Sequence, residues 1–206
     1  MKEYSMELCG VKRTLPFIPI SEEMAFASFV VLGDTELVSA CAPELAAKIG
    51  EVDAIVTAEA KGIALAYEVS KELGHKEFIV ARKSTKSYMK DVVSASVHSI
   101  TTAGEQHLYL DGKDADKIRG KRVCLLDDVI STGESLHALE CLMANASAEV
   151  VKKAAILAEG DAADRKDIVF LQKLPLFKKT GDGEYEVIEY LPILLMHIEN
   201  RKTVQF

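Results

Sequence analysis

The chain lacks the marks of several protein classes. Its four cysteines, Cys9, Cys41, Cys124 and Cys141, are scattered and form no C-x-x-C pair. Cys124 sits inside an apolar run, where a thiol acts as a small hydrophobe. A disulfide framework is therefore not expected, and a reducing cytoplasm fits. His75, His98, His107, His137 and His197 show no ligand spacing with cysteine or with one another, which argues against a structural zinc site. Positive charge is not in excess: 25 Lys and Arg against 32 Asp and Glu leave a net charge of −7. That sets aside nucleic acid and anionic membrane as main partners, without excluding a local basic pocket. Met1-Lys2-Glu3-Tyr4 carries no signal-peptide apolar core, and no run reaches the length of a membrane span. Internal repeats and low-complexity segments are also missing.

What is present is an ordinary globular composition, 49% apolar and 28% charged over 206 residues, enough for one sizeable core. From Val52 to Ile156 strands and helices alternate. Ala54–Ala58 reads as a buried strand, and Ile63, Ala66, Tyr67, Ser70 and Leu73 follow at helical spacing before Gly74. Phe78–Ala81 is the next strand, followed by a polar stretch from Arg82 to Asp91. Ser94–Ile100 and His107–Leu110 read as a strand pair turning at Gly104. Arg122–Leu126 is a strand ending in an acidic tip. Leu136, Leu139, Leu142 and Met143 make the stripe of a helix, and Glu149–Ala158 is a further strand. This alternation predicts an α/β fold, a mostly parallel sheet flanked by helices, with ligands gathered beyond the carboxyl ends of the strands.

The flanks are less regular. Asp34 is placed to cap a helix that Pro43 would kink or restart. Val169–Leu171, Leu174–Phe177, Val187–Ile188 and Leu191–Ile198 are short apolar segments, with Thr180-Gly181-Asp182-Gly183 as a hairpin turn among them. The chain reads as a single domain over 1–206. Its core spans about 34–158, and both flanks, about 1–33 and 159–206, form a small hood subdomain resting on the sheet.

The most specific chemistry lies in Val123-Cys124-Leu125-Leu126-Asp127-Asp128-Val129-Ile130-Ser131-Thr132-Gly133-Glu134-Ser135. Asp127 and Asp128 are acceptors for vicinal hydroxyls. Ser131, Thr132, Gly133, Glu134 and Ser135 present backbone N–H groups and hydroxyls at a helix start, where the dipole favours an anion. One diol and one phosphate match a phosphorylated ribose. A bare Asp-Asp is often a solvated strand end and Ser-Thr-Gly a common cap; the whole order is far rarer.

That segment resembles the phosphoribosyl-diphosphate (PRPP) binding motif of type I phosphoribosyltransferases. Thr57-Ala58-Glu59-Ala60-Lys61-Gly62 resembles the family's pyrophosphate loop, in the style of its purine members. The resemblance implies that the amides of Ala60, Lys61 and Gly62 bind diphosphate and that the loop holds a non-proline cis peptide. Ala81-Arg82-Lys83-Ser84-Thr85-Lys86 resembles the entry to a mobile loop over the site. It implies Arg82, Lys83 and Lys86 as cations for the leaving diphosphate, with Asp127 and Asp128 as the catalytic carboxylates. Mg2+ is implied, held mainly through PRPP near those two carboxylates. So are closure of residues 84–105 over the site, a homodimer, and PRPP and a purine base as substrates of a salvage reaction in the adenine or xanthine style. Phe26 and Phe29 are candidates to stack on the base, with core packing as the other role open to them.

The chain also departs from that pattern. Adenine enzymes usually carry a loop carboxylate, where this chain has Ile100-Thr101-Thr102-Ala103-Gly104. They carry Phe-Arg-Asp near the N-terminus, where Phe26-Ala27-Ser28 lacks the Arg. Hypoxanthine-guanine enzymes place Asp where Ser131 stands. The resemblance therefore assigns no residue to the purine N–H proton. A non-catalytic PRPP-binding regulator on the same fold is the alternative; the acidity of the chain and its short N-terminal flank count against it. A PRPP synthetase fragment is a third reading, opposed by length.

Overall fold

The computed structural model describes residues 1–98, 105–181 and 183–188. The chain opens with a hairpin, β1 (Glu3–Leu8) and β2 (Val11–Pro19), then β3 (Met24–Ala27). Cys9 and Gly10 both take positive φ, 50° and 81°, the conformation that a two-residue hairpin turn requires. Next come α1 (Thr35–Ile49), β4 (Ala54–Ala58), α2 (Ile63–Glu72) and β5 (Ile79–Ala81). An antiparallel pair follows, β6 (Val93–His98) and β7 (Glu105–Leu110), then α3 (Gly112–Ile118), β8 (Arg122–Ile130), α4 (Glu134–Asn145) and β9 (Glu149–Glu159). After a 3-10 turn at Gly160–Asp164 the chain ends its described course with β10 (Val169–Leu174), β11 (Leu176–Lys179) and β12 (Tyr185–Ile188).

Two five-stranded sheets result. The central one is parallel, in the order β10-β9-β8-β4-β5. Along β8 the strand period of two sends Val123 and Leu125 to one core, with α3 and α4. Cys124 and Leu126 go to the other, with α1 and α2. The second sheet, β1-β2-β3-β11-β12, is antiparallel and forms the hood. Met6, Leu8, Leu15 and Phe177 carry its apolar face into the α1/α2 core. Asp34 does cap α1, accepting from the Leu37 N–H at 3.1 Å. It also receives a forked bond from Arg13 of β2, at 2.7 and 2.8 Å, which ties hood to core.

Four features differ from the sequence expectations. Pro43 lies inside an uninterrupted α1, held by a face buried from Leu37 to Ile49. The acidic-tipped strand does not stop at Leu126; β8 continues through both aspartates to Ile130 because β9 pairs with it throughout, Ile130 opposite Ala158. The short helix α3 was not anticipated. The hood boundary at 159 falls too early: β10 is parallel to β9 and belongs to the central sheet, so the C-terminal hood strands begin at Leu176. Ile100–Gly104 and Leu191–Ile198 lie outside the described residues, apart from which the strand pair and the β11–β12 hairpin stand where expected. No described helix is long and apolar enough to cross a membrane.

Candidate active site

In the central sheet the chain runs outward from the middle twice. From β4 it passes through α2 to β5 on one side; from β8 it passes through α4 to β9 and then β10 on the other. The boundary between β4 and β8 is therefore the topological switch point, where open parallel sheets bind ligands. The ladder there is short, Ala54 to Val56 against Val123 to Leu125. Beyond it the strand ends part and a cleft of about 410 Å³ opens.

Three chain segments wall the cleft. Asp127 comes from β8, Ala60 and Lys61 from the loop after β4, Ser131 from the loop into α4 and Ser135 from its first turn. Lys83 lines it from beyond β5, and Phe26 and Phe29 from the hood side. Phe29 is buried and joins the α1/α2 core, whereas Phe26 is half-buried.

The two aspartates differ. Their position in the pleat sends them to opposite faces. Asp127 is half-buried, faces the cleft, and accepts from the Asp128 N–H at 2.8 Å. Burial first, and then the adjacent Asp128 charge, push its carboxyl up from 3.8 to about 7. Asp128 is fully buried beneath Lys61, whose ammonium lies 2.9 Å from Oδ1. The approach is out of line for a hydrogen bond, so both carboxylate oxygens remain without one.

The loop after β4 is built by close packing. Thr57 is fully buried, and a Cβ at Gly62 would lie 2.2 Å from its Oγ1. Only glycine lets α2 start there. The Glu59–Ala60 peptide is cis, as the resemblance implies. Glu59 accepts from Arg82 Nε at 2.5 Å and from the Lys83 N–H at 2.8 Å. Burial alone would raise its pKa; these two donors outweigh it and hold the carboxyl below the usual value. Arg82 spends a second nitrogen on the Tyr88 hydroxyl at 3.0 Å, and Lys86 donates to Ser84 Oγ at 2.7 Å. Arg82 and Lys86 therefore sit beside the cleft rather than in its wall.

Gly133, at φ 82°, turns the chain into α4, where the His137 N–H donates to the Gly133 carbonyl at 2.8 Å. Thr132, Gly133 and Glu134 complete this turn behind Ser131 and Ser135. First-turn N–H groups have no intrahelical acceptor, and that of Glu134 lies 3.5 Å from Thr132 Oγ1.

Two residues escaped the sequence reading. Arg165 lies with Nη1 2.8 Å from where a Gly133 Cβ would stand, while Nε and Nη2 are taken by Asp167 at 2.9 and 2.7 Å. Glu159, the last residue of β9, lines the cleft. Burial pushes its carboxyl up to about 7, against the opposing pull of Lys61. A lone Glu at a strand end carries no sequence signal; only the sheet order reveals it.

These shifts set a pH dependence. Folded Asp127 and Glu159 keep their protons to about pH 7, whereas the unfolded chain releases them near 4. Between those limits the unfolded state binds fewer protons, so stability falls as pH rises and levels off above about 7. The ligand-free protein is expected to melt higher at about pH 5 than at about pH 7.5. Asp127→Asn should flatten that difference; a melting temperature that climbs across this range in the wild type contradicts the assignment.

A parallel sheet with a cleft at its switch point, walled by an acidic strand and a Ser- and Thr-bearing loop at a helix start, defines an α/β protein of the open parallel-sheet class. Within that class the chain belongs to the phosphoribosyl transferase domain family, which matches residues 36–184. It is 34% identical over 140 residues to HGPRTase-like protein 3 of Haloterrigena turkmenica, covering 67% of this chain and 69% of that protein. It is 32% identical to a xanthine phosphoribosyltransferase of Clostridioides difficile, covering 65% and 72% of the two chains. An adenine phosphoribosyltransferase structure from Rhodothermus marinus superposes with a TM-score of 0.61 at 25% identity, covering 78% of this chain and 94% of that one. These relatives place it in the purine branch of the type I fold.

Proposed function

We propose that the protein transfers the 5-phosphoribosyl group of PRPP to a purine base, of adenine or xanthine type, with release of diphosphate. The observation that carries this reading is Asp127 facing a cleft whose neighbouring walls are the Ala60–Lys61 loop and the Ser131–Ser135 loop. The spacing of a diol acceptor between two anion-binding loops suits a sugar bearing a phosphate at one end and diphosphate at the other.

In this reading the ribose hydroxyls donate to Asp127, with Asp128 beneath fixing Lys61. Residues 131–135 hold the 5-phosphate. The amides of Ala60, Lys61 and Gly62, with Lys83, hold the diphosphate, and Arg82 and Lys86 add positive potential from beside the cleft. Negative charge grows on diphosphate as the sugar–oxygen bond breaks, so fixed donors aimed at it lower the barrier. No nucleophile from the protein is needed. The hood bearing Phe26 keeps water from the reacting carbon, which otherwise hydrolyses PRPP.

The residues fit Mg2+ held mainly through PRPP: Asp127 offers one carboxylate at the cleft, a hard oxygen ligand, with Asp128 buried beneath it, and phosphate oxygens and water would complete the shell. Bound there with PRPP, the ion would neutralise diphosphate charge. The protein is expected to work in the cytoplasm as a homodimer.

The test is diphosphate release from PRPP with Mg2+ and each of adenine, hypoxanthine, guanine, xanthine, uracil and orotate. At least one purine should support turnover, and a chelator should abolish it until Mg2+ is restored. Silence with every base, alongside tight PRPP binding by calorimetry, would instead establish the non-catalytic regulator.

A further inference from the structure

Resting on that reading, we propose that Arg165 is a positioning residue for the 5-phosphate. Its guanidinium, held against the Gly133 turn, makes that end of the site more positive and so strengthens binding of the phosphorylated end of PRPP.

Arg165 lies 32 residues beyond the turn it touches, just after the 3-10 turn Gly160–Asp164 that leaves β9. Its Nη1 stands 2.8 Å from the point that a Gly133 Cβ would occupy. No real side chain tolerates a contact that close. Glycine at 133 therefore admits the cation as well as the positive φ of the turn.

The other two nitrogens fix the plane of the group. Nε and Nη2 donate to the two oxygens of Asp167 at 2.9 and 2.7 Å, a forked pair with little freedom. Asp167 also accepts from Lys153 of β9 at 2.8 Å, and Lys153 pairs with Glu140 of α4. Arg165 first, and then Lys153, hold the Asp167 carboxyl well below the usual carboxylate range, so the pair stays charged at neutral pH. This chain of ions starts at the N-terminal turn of α4, crosses β9 and returns to the middle of α4. It braces the turn against its own helix from outside.

One nitrogen is left over. Nη1 makes no hydrogen bond among the described residues, and it lies at the positive end of α4. A cation there opposes the helix dipole, an unfavourable placement in the ligand-free chain. A phosphate reverses the sign, because the dipole and the guanidinium both attract it. Arg165 does not line the cleft, so it acts through its potential and through the Gly133 turn. The side chain is 32% exposed, which makes the effect moderate and sensitive to salt. The diphosphate loop follows β4, on the other side of β8 from β9 and β10, so the effect is confined to the 5-phosphate end.

The experiment is calorimetry of PRPP, ribose 5-phosphate and diphosphate, each with Mg2+, on the full chain and on Arg165→Met and Arg165→Lys. At low salt Arg165→Met should weaken PRPP and ribose 5-phosphate by about 5- to 20-fold, with diphosphate affinity within about twofold of wild type. Arg165→Lys, which keeps the charge, should recover most of the loss. Raising the salt to about 0.5 M should shrink the difference between wild type and Arg165→Met. Ribose 5-phosphate affinity within about twofold of wild type in Arg165→Met overturns the assignment and leaves the transferase reading standing. So does an equal loss for diphosphate, which marks general damage, or a loss that salt does not change. A wild-type chain that binds neither PRPP nor ribose 5-phosphate overturns both.

Discussion

Replacing Asp127 and Asp128 together by asparagine is expected to lower PRPP-dependent turnover by at least about 10²- to 10³-fold, in a protein that still folds. The loss follows from charge. Asparagine keeps the shape and one acceptor oxygen but removes the anion that faces the sugar hydroxyls and the bound ion. Survival of the fold follows from the surroundings of Asp128. It is a fully buried carboxylate with no hydrogen bond, so its neutral replacement removes a desolvation cost rather than adding one. Lys61, left without its partner, is half exposed and can be solvated. Melting temperature should hold or rise while kcat collapses. Steady-state diphosphate release and a thermal melt on the same preparation decide it; turnover within tenfold of wild type sinks the assigned role.

Gly62→Ala is the second large effect, and its cause is purely steric. Gly62 has φ −77° and ψ −8°, a conformation alanine adopts freely. On backbone grounds the change would even stabilise, by about 0.4–1 kcal/mol through the unfolded chain. The added methyl nevertheless lands 2.2 Å from Thr57 Oγ1, on a side chain with no space to yield. The loop must move, at a cost of about 1–3 kcal/mol for overpacking. A displacement of about 1 Å in a positioning loop costs about 100-fold in rate. Thr57→Ala should rescue it, because the next contact, the Leu126 carbonyl oxygen at 3.4 Å, is ordinary packing. A double variant as poor as Gly62→Ala alone would show that glycine is required for something other than this contact.

The contrast between Asp127 and Glu159 shows how far the sequence could be read. The wall of the cleft formed by Asp127, Ser131 and Ser135 was legible because its residues are nearly contiguous. A strand, an acid pair and a helix cap follow one another in thirteen residues, and the diphosphate loop is a second compact string. The rest of the cleft wall is assembled from the ends of β9 and β10 and from the hood, residues far apart in the chain and each unremarkable alone. The fold divides in the same way. Alternating strands and helices announced the parallel sheet, but Val169–Leu171 reads as any short apolar segment, and only the pairing of Val169–Leu174 with β9 puts it in that sheet. In α3 only Ala115 and Ile118 of seven residues are buried and apolar, too few to show a helical period. Pro43 misled in the opposite direction, because a long buried face outweighs one missing hydrogen bond.

The short ladder between β4 and β8 has a mechanical consequence. Across most of its width the sheet is a plank stitched to its end: Ile130 still faces Ala158, and Leu174 still faces Glu159. Between β4 and β8 the stitching stops at Val56 and Leu125. The sheet is thus two panels joined near one edge, with Asp127 on one panel and the Ala60–Lys61 loop on the other. In the proposed reaction PRPP would be a crosspiece between them, and cutting it at the reacting carbon would free the panels to spread.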